Sequence, residues 1–346
     1  MASDGAAVMI GARSGVMTRV RLDVPHLVSV HCTAHRLELS LKSALKQTHR
    51  YSEIEDFLVR IYKFYNNSPR NLAALSEAGN ANGIVILKPG NVLGTRWIDH
   101  HKRAIEAIDR DWLSMVVHMQ DITTPGSDHT ADSKQKARGF LEKLTQVDFV
   151  KDIYIQLDIY RILGRLSLLF QRNDASVETV KFGLKSAVDN LQLLLEQPGP
   201  SETLFNESFN DGRFRGIELN PPRRRTNADV NAGDGKAAML NSCIREINNR
   251  FRPFREDPVL TAANVFDPTD WPQDINELRN YGRDEIVTLA RHFRDLLERH
   301  TEFSEDEALM EWTGLKTTVN RILAANPGLR FLDIWHASTL PRFGRV

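Results

Sequence analysis

A chain of 346 residues with 41% hydrophobic side chains is long enough for one large domain or two, each with a buried core. Its 45 basic and 45 acidic residues cancel to a formal net charge of zero, which argues against a protein that coats nucleic acid by bulk charge, since that affinity needs an excess of Lys and Arg. Two cysteines, Cys32 and Cys243, exclude a disulfide scaffold and fit a reducing compartment.

The opening, MASDGAAVMIGARSG, has no basic cluster followed by a long apolar run, so it does not read as a secretory signal. No apolar run approaches the length that crosses a bilayer. The acceptor-like patterns at Asn66 and Asn206 are therefore read as chance matches.

Strand signals are sparse. The clearest is HLVSVHC, His26 to Cys32, which is β-branched and follows Pro25. Leu37, Leu41 and Leu45 then drive a helix onto the core. Ile54, Phe57, Leu58, Ile61, Tyr62 and Tyr65 share one face of an amphipathic helix. GIVILKPG, Gly83 to Gly90, is a weaker strand candidate. Ile105, Ile108, Trp112, Met115, Val116 and Met119 form the next helical stripe. DITTPGSDHTADS reads as a loop, and Phe149 to Phe170 is apolar on most sides, the mark of a central buried helix.

Further stripes run from Val177 to Leu195, Leu240 to Phe251, Ile286 to Leu297 and Leu309 to Ile322. Between them, Gln197 to Gly235 is rich in Pro, Gly and Asn and reads as a long loop or linker. No internal repeat is present.

Cys32 and His35 have a Cys-x-x-His spacing, but a structural zinc needs about four ligands, and no second pair follows at ligand spacing. His49, His100 and His101 stand outside any ligand pattern, and Cys243 falls within an apolar stripe, where a free cysteine acts as a small hydrophobe. Neither zinc nor magnesium is expected.

ASDGAAVMIGARSGV, then PHLVSVHCTAHRLELS, then GTRWIDHHKRAIEAI, resemble in order the hAT superfamily of DNA transposases and the host proteins descended from them. INNRFRPFREDPVLTAANVFDPTDWP, Ile247 to Pro272, is similar to the late insertion of zinc-finger-type vertebrate members. The resemblance covers nearly the whole chain. It implies a ribonuclease-H-like core interrupted by a helical insertion domain, with Asp4 at the second catalytic aspartate, Cys32 and His35 as the family's Cys-x-x-His motif beside the catalytic centre, and Arg96 and Trp97 as its Arg-Trp pair near DNA.

The departures decide the expected activity. The family's strand transfer uses two aspartates and a glutamate around two divalent metals, which clamp the reacting oxygens only when several carboxylates hold them. The chain starts just before Asp4, leaving no strand for the first aspartate, and it ends FLDIWHASTLPRFGRV without the glutamate motif or the usual N-terminal DNA-binding finger. A single carboxylate holds Mg²⁺ weakly, so Asp4 is read as a vestigial turn residue.

Trp97 can stack on an extruded base, as the resemblance implies, or pack the helix that follows it, with Thr95 as N-cap. Packing carries more weight, because large aromatics most often sit in cores. Arg223, Arg224 and Arg225 read as a solvated patch or a nuclear-import signal. Arg250 to Arg255 interleaves with Phe251 and Phe254, a pattern suited to single-stranded nucleic acid or, with Phe251 in a core stripe, to packing.

The expected protein is mainly α: a helical insertion domain with a small remnant of a ribonuclease-H-like α/β core. The remnant spans 1–48, the insertion domain 49–323 with its loop at 197–235, and a tail 324–346 leads towards a dimerisation region. The expected function is a catalytically inactive interaction module with protein or DNA partners, nuclear or otherwise cytoplasmic, and with no membrane. The alternatives are a residual DNA-binding protein of the transposase type, and a fragment of a longer protein that carries the absent catalytic residues. The strand at Val28 and Val30, without neighbouring strands, is expected to be solvent-exposed or covered by a partner.

Overall fold

The computed structural model describes residues 1–86, 90, 92, 94, 96–172, 175–221, 235–300, 302–329 and 333–335. They are mainly helical, as the apolar stripes require. The chain opens with β1 (Ala2–Ser3), α1 (Ala7–Ile10), α2 (Val16–Asp23) and β2 (Val30–His31). Then come α3 (Thr33–Lys46), α4 (His49–Asn66), α5 (Pro69–Ala81), α6 (Trp97–Thr123), α7 (Ala131–Leu144) and α8 (Val147–Phe170). After α9 (Val177–Glu196) and α10 (Pro200–Ser208) lie β3 (Phe209–Asn210), β4 (Arg213–Phe214) and β5 (Ile217–Glu218). The last helices are α11 (Gly235–Glu256), α12 (Pro258–Ala262), α13 (Ile275–Asn280), α14 (Arg283–His292), α15 (Arg294–His300) and α16 (Glu305–Ala325).

The chain forms two compact units. One comprises Met1–Arg36, Leu168–Lys185 and Asn249–Val346, the other Leu37–Ser167 and Ser186–Asn248. Residues from 259 onward build a core of their own around Trp271, Trp312, Val319 and Ile334. The tail takes part in it: Ile334 is buried and Trp335 packs against Phe266. In this first unit Lys316 is buried and donates to the carbonyl oxygens of Leu278 (2.6 Å), Arg279 (3.1 Å) and Tyr281 (2.8 Å). A cation there satisfies the orphan carbonyls at the end of α13 and complements its dipole.

Three expectations change. The strand expected over His26–Cys32 shrinks to Val30–His31 and does have a neighbour, since β1 pairs with it in parallel, Ala2 opposite Val30 and Ser3 opposite His31. Val28 and Val30 are consequently half-buried. Gly83–Gly90 shows no strand among its described residues; Ile84 N–H instead bonds the Gly79 carbonyl at 2.9 Å, and Ile86 lies where a Cβ on Gly79 would be. The segment folds back over the end of α5, and the glycine makes room for it.

The supposed linker at 197–235 holds α10 and the antiparallel meander β3–β4–β5, with Gly212 and Gly216 at positive φ in its turns. Its glycines and asparagines are turn chemistry. Residues 222–234 of that stretch lie outside the described ones. A further difference is local: the Ile286–Leu297 stripe is split at Phe293, where α14 ends and α15 begins.

In the second unit α5 and α7 pack on α6, while α8 is buried on nearly every side. Polar side chains on the buried faces of such a helix call for partners, because an unpaired polar group in the interior is costly. Asp152 of α8 meets Arg50 at 2.6 Å, and Tyr160 donates to Glu55 at 3.1 Å. Tyr154 donates to Asp109, whose carboxylate also takes Arg215 at 2.7 Å, tying the meander to α6 and α8.

Asp158 of α8 accepts the backbone N–H of Ser201 (2.9 Å) and of Glu202 (3.0 Å), which caps the start of α10 from outside the helix. Asp158→Ala removes both bonds and leaves buried N–H groups unpaired. It is expected to cost about 2 kcal/mol in urea unfolding. A change within about 0.5 kcal/mol would show that water replaces the carboxylate.

Candidate functional site

Asp4 sits in the turn after β1, where Oδ1 accepts the Ala6 N–H at 3.0 Å just ahead of α1. Gly5 follows at φ 79°, and a Cβ there would lie 2.5 Å from Cε1 of His31, so only glycine fits between the turn and that ring. The His31 ring lies tilted against that of His35, with centroids 5.5 Å apart, and burial with the nearby Arg36 guanidinium lowers the His31 pKa. Cys32 is a half-buried thiol whose backbone N–H bonds Ser3 O and whose carbonyl opens α3 by accepting Arg36 N–H at 2.9 Å. Asp4, His31, Cys32 and His35 thus share one neighbourhood, but among the described residues no three His, Cys, Asp or Glu side chains are arranged to hold a metal ion.

Arg96 and Trp97 lie in the second unit at the start of α6. Thr95, the expected cap, lies outside the described residues, and the Arg96 side chain makes no capping bond. The Trp97 N–H is held instead by Glu38 Oε1 of α3 at 3.0 Å. Arg96 is exposed, whereas Trp97 is only 9% exposed, with the His101 ring 3.9 Å from its own and Lys42 Nζ 5.3 Å from its centroid. Little of the indole is left for a base to stack on. The packing role is the one the structure shows.

Around Trp97 the helices converge on a buried polar chain that the sequence patterns did not single out. His101 Nδ1 meets the Trp97 carbonyl at 2.8 Å, and its Nε2 meets the Glu55 carboxylate, which also accepts from Tyr160. Both ring nitrogens therefore face oxygen atoms, one a backbone carbonyl and one a carboxylate. The only hint in the sequence is that Glu55 and His101 each stand beside an apolar stripe, too weak to predict a contact across 46 residues.

A second buried histidine, His118 of α6, takes a hydrogen bond between Nδ1 and Tyr65 OH at 3.1 Å. Its Nε2 is buried and has no partner among the described residues, as is true of Ser114 Oγ one turn earlier. Burial, with a smaller contribution from His129, brings His118 down to about 4.

The remaining candidates resolve as packing or surface. Cys243 is buried in its stripe, and burial pushes its thiol up to about 12. Phe251 and Phe254 are buried, while Arg252 pairs with Glu256 at 3.4 Å on the surface, so the Arg250–Arg255 aromatics are core residues. His49 is exposed, and His100 is half-buried beside Gly94. Arg223, Arg224 and Arg225 lie outside the described residues. Among the described residues no helix is long and apolar enough to cross a membrane. No protein-family model matches the chain, and no solved structure matches it.

Trp97→Ala is expected to destabilise the protein by about 3–5 kcal/mol, as for other buried tryptophans. In salt titrations at physiological ionic strength it should leave any weak DNA affinity unchanged; sub-micromolar binding lost in a variant that melts like wild type would mean the indole reaches a base.

His118 titrates near 6.5 when unfolded and at about 4 when folded, so above 6.5 it is neutral in both states and favours neither. As pH falls from 6.5 towards 4 the unfolded chain binds the proton first, and up to about 3 kcal/mol of stability is lost. Denaturant titrations of wild type and His118→Gln across that window should show a shallower pH slope in the variant; parallel slopes would refute a neutral buried ring.

Proposed function

We propose that this chain is a non-catalytic, transposase-derived helical protein that acts in the nucleus by binding other macromolecules. Support for the descent is the ordered set of SDGA, Cys-x-x-His and Arg-Trp motifs, together with the layout of the first unit: a strand, the Asp4 turn, a parallel partner strand and the helix start at Thr33. The observation that carries the lack of catalysis is the use made of Asp4. Its carboxylate is engaged as a turn acceptor on Ala6 N–H, and among the described residues no three His, Cys, Asp or Glu side chains are arranged to hold a metal ion. Two-metal strand transfer needs several carboxylates at fixed positions.

Binding fits a surface that keeps large apolar side chains in solvent, among them Leu22 at 81% and Phe182 at 70% exposure. The zero net charge favours protein over bulk nucleic acid as the partner class.

Purified protein incubated with duplex oligonucleotides and Mg²⁺ or Mn²⁺ is expected to leave both strands intact. Nicking that disappears in Asp4→Asn would establish a working metal site and overturn this function.

A further inference from the structure

The second unit carries a groove between α4 and α7 that none of the sequence motifs touches. Two cavities of about 420 and 310 Å³ lie along it and share Arg60 and Phe140. Its floor is aromatic: Phe140 meets Phe64 with centroids 5.3 Å apart and Phe57 at 5.7 Å, both edge-on.

The ends of the groove differ in charge. At one end Arg60, Lys63 and Lys136 surround the larger cavity, where Lys136 is held by Asp132 at 2.6 Å. Among the described residues Arg60 and Lys63 have no carboxylate partner, Arg60 only standing over the Phe140 ring at 5.7 Å. The start of α5 lies at the same end. Asn71, 6% exposed, lines that cavity, and its side-chain oxygen accepts no hydrogen bond among the described residues. At the other end stand Glu53, Asp56 and Glu142. Glu53 is neutralised by Lys143 at 2.7 Å, whereas Asp56 pairs with no cation among the described residues.

Gly139 lies between the two ends, inside α7. A Cβ added there would meet nothing within 4 Å, and its φ lies outside the left-handed range. Neither backbone nor packing requires a glycine, and in a helix interior it costs roughly 0.5–1 kcal/mol relative to alanine. What it does is leave the middle of the groove open.

We infer that this groove docks an extended peptide segment of a partner protein, with an acidic residue at the Arg60–Lys63 end, an apolar side chain over Phe140 and Gly139, and a basic residue at Asp56. This rests on the proposed interaction function and specifies its partner. Asp56 and Lys63 are about 10 Å apart along α4 at 1.5 Å per residue, so the acidic and basic residues of an extended partner stand about three positions apart. Cavities of this size take side chains of an extended chain, whereas a helix about 10 Å across would not enter. The opposed charges at the two ends fix the direction in which the segment lies, which is how complementary charge confers specificity more than affinity.

The test is selection of a random short-peptide display library on the immobilised full chain, with the binders then measured by fluorescence anisotropy. Enriched peptides should carry an acid and a base about three positions apart with an apolar residue between them, in one chain direction common to the binders. They should weaken at least tenfold, about 1.4 kcal/mol, on Gly139→Trp and on Arg60→Glu. Gly139→Ala should bind as wild type and melt at or above its midpoint. Selection on the Arg60→Glu, Lys63→Glu double variant should replace the acidic residue by a basic one; since these are surface side chains, this arm does not depend on how Gly139→Trp folds.

Binders indifferent to every groove variant, binders without the charge order, or no binders at all would overturn the assignment. The first of these would still leave an interaction protein with its site elsewhere. A labelled oligothymidylate whose binding is lost in Gly139→Trp would make the groove a nucleic-acid site and overturn it as well. The nicking assay separately decides whether the chain is catalytic.

Discussion

In the second unit everything hangs on the satisfaction of one helix. Because α8 is buried on almost all sides, its Asp152, Tyr154, Asp158 and Tyr160 cannot turn to water, and each needs a fixed partner. Those partners are the devices that place the neighbouring elements. Arg50 brings in α4, Glu55 brings in α4 again and, through His101, α6, and Asp109 with Arg215 holds the meander. The start of α10 is capped by Asp158 rather than by a residue of its own. An apolar helix would bury as readily but would specify none of these neighbours. The paired polar residues Asp152, Tyr154, Asp158 and Tyr160 select one arrangement among several of similar apolar area, a role paired polar groups in cores can fill.

How much of this could be read from the sequence follows from what periodicity encodes. The stripes of α4, α6, α9, α11 and α16 stand out because each buries one face over several turns, and Phe149–Phe170 stands out because it is apolar on most sides. The short elements were not legible in the same way. α10 has no periodic run long enough to detect, and it owes its start to Asp158, more than 40 residues away in sequence. β3, β4 and β5 have two residues each, below any alternation that could be counted. Gly83–Gly90 looked like a strand because its Ile and Val are β-branched, yet the Gly79 gap decides where Ile86 goes, and that gap is visible only in three dimensions.

The same distinction applies to sites. Trp97 could be weighed between base and core from sequence, and in this structure it is largely covered, with Glu38 on its backbone N–H and His101 against its ring. The Glu55–His101–Tyr160 chain could not be found, since its members come from three helices with no shared spacing. Nor could the α4–α7 groove. Its charges are ordinary surface residues in one dimension and become a polarised cleft only when antiparallel elements set Lys63 beside Lys136 and Glu53 beside Lys143.

The residues that carry the resemblance to transposases have a use in this molecule that needs no chemistry. Gly5 is required because the His31 ring fills the space a side chain would take, and Asp4 is required because Ala6 N–H needs an acceptor as the chain enters α1. His31 is in turn fixed by the pairing of β2 with β1, and Cys32 by its backbone bond to Ser3. The contacts join the turn, the strand pair and the start of α3. In such a set the cost of change is structural, whatever chemistry the residue types suggest. The SDGA and Cys-x-x-His motifs therefore have a structural use in the first unit that is independent of any catalytic one. The parts under no such structural demand, Gly139 above all, are where a retained function has to be sought.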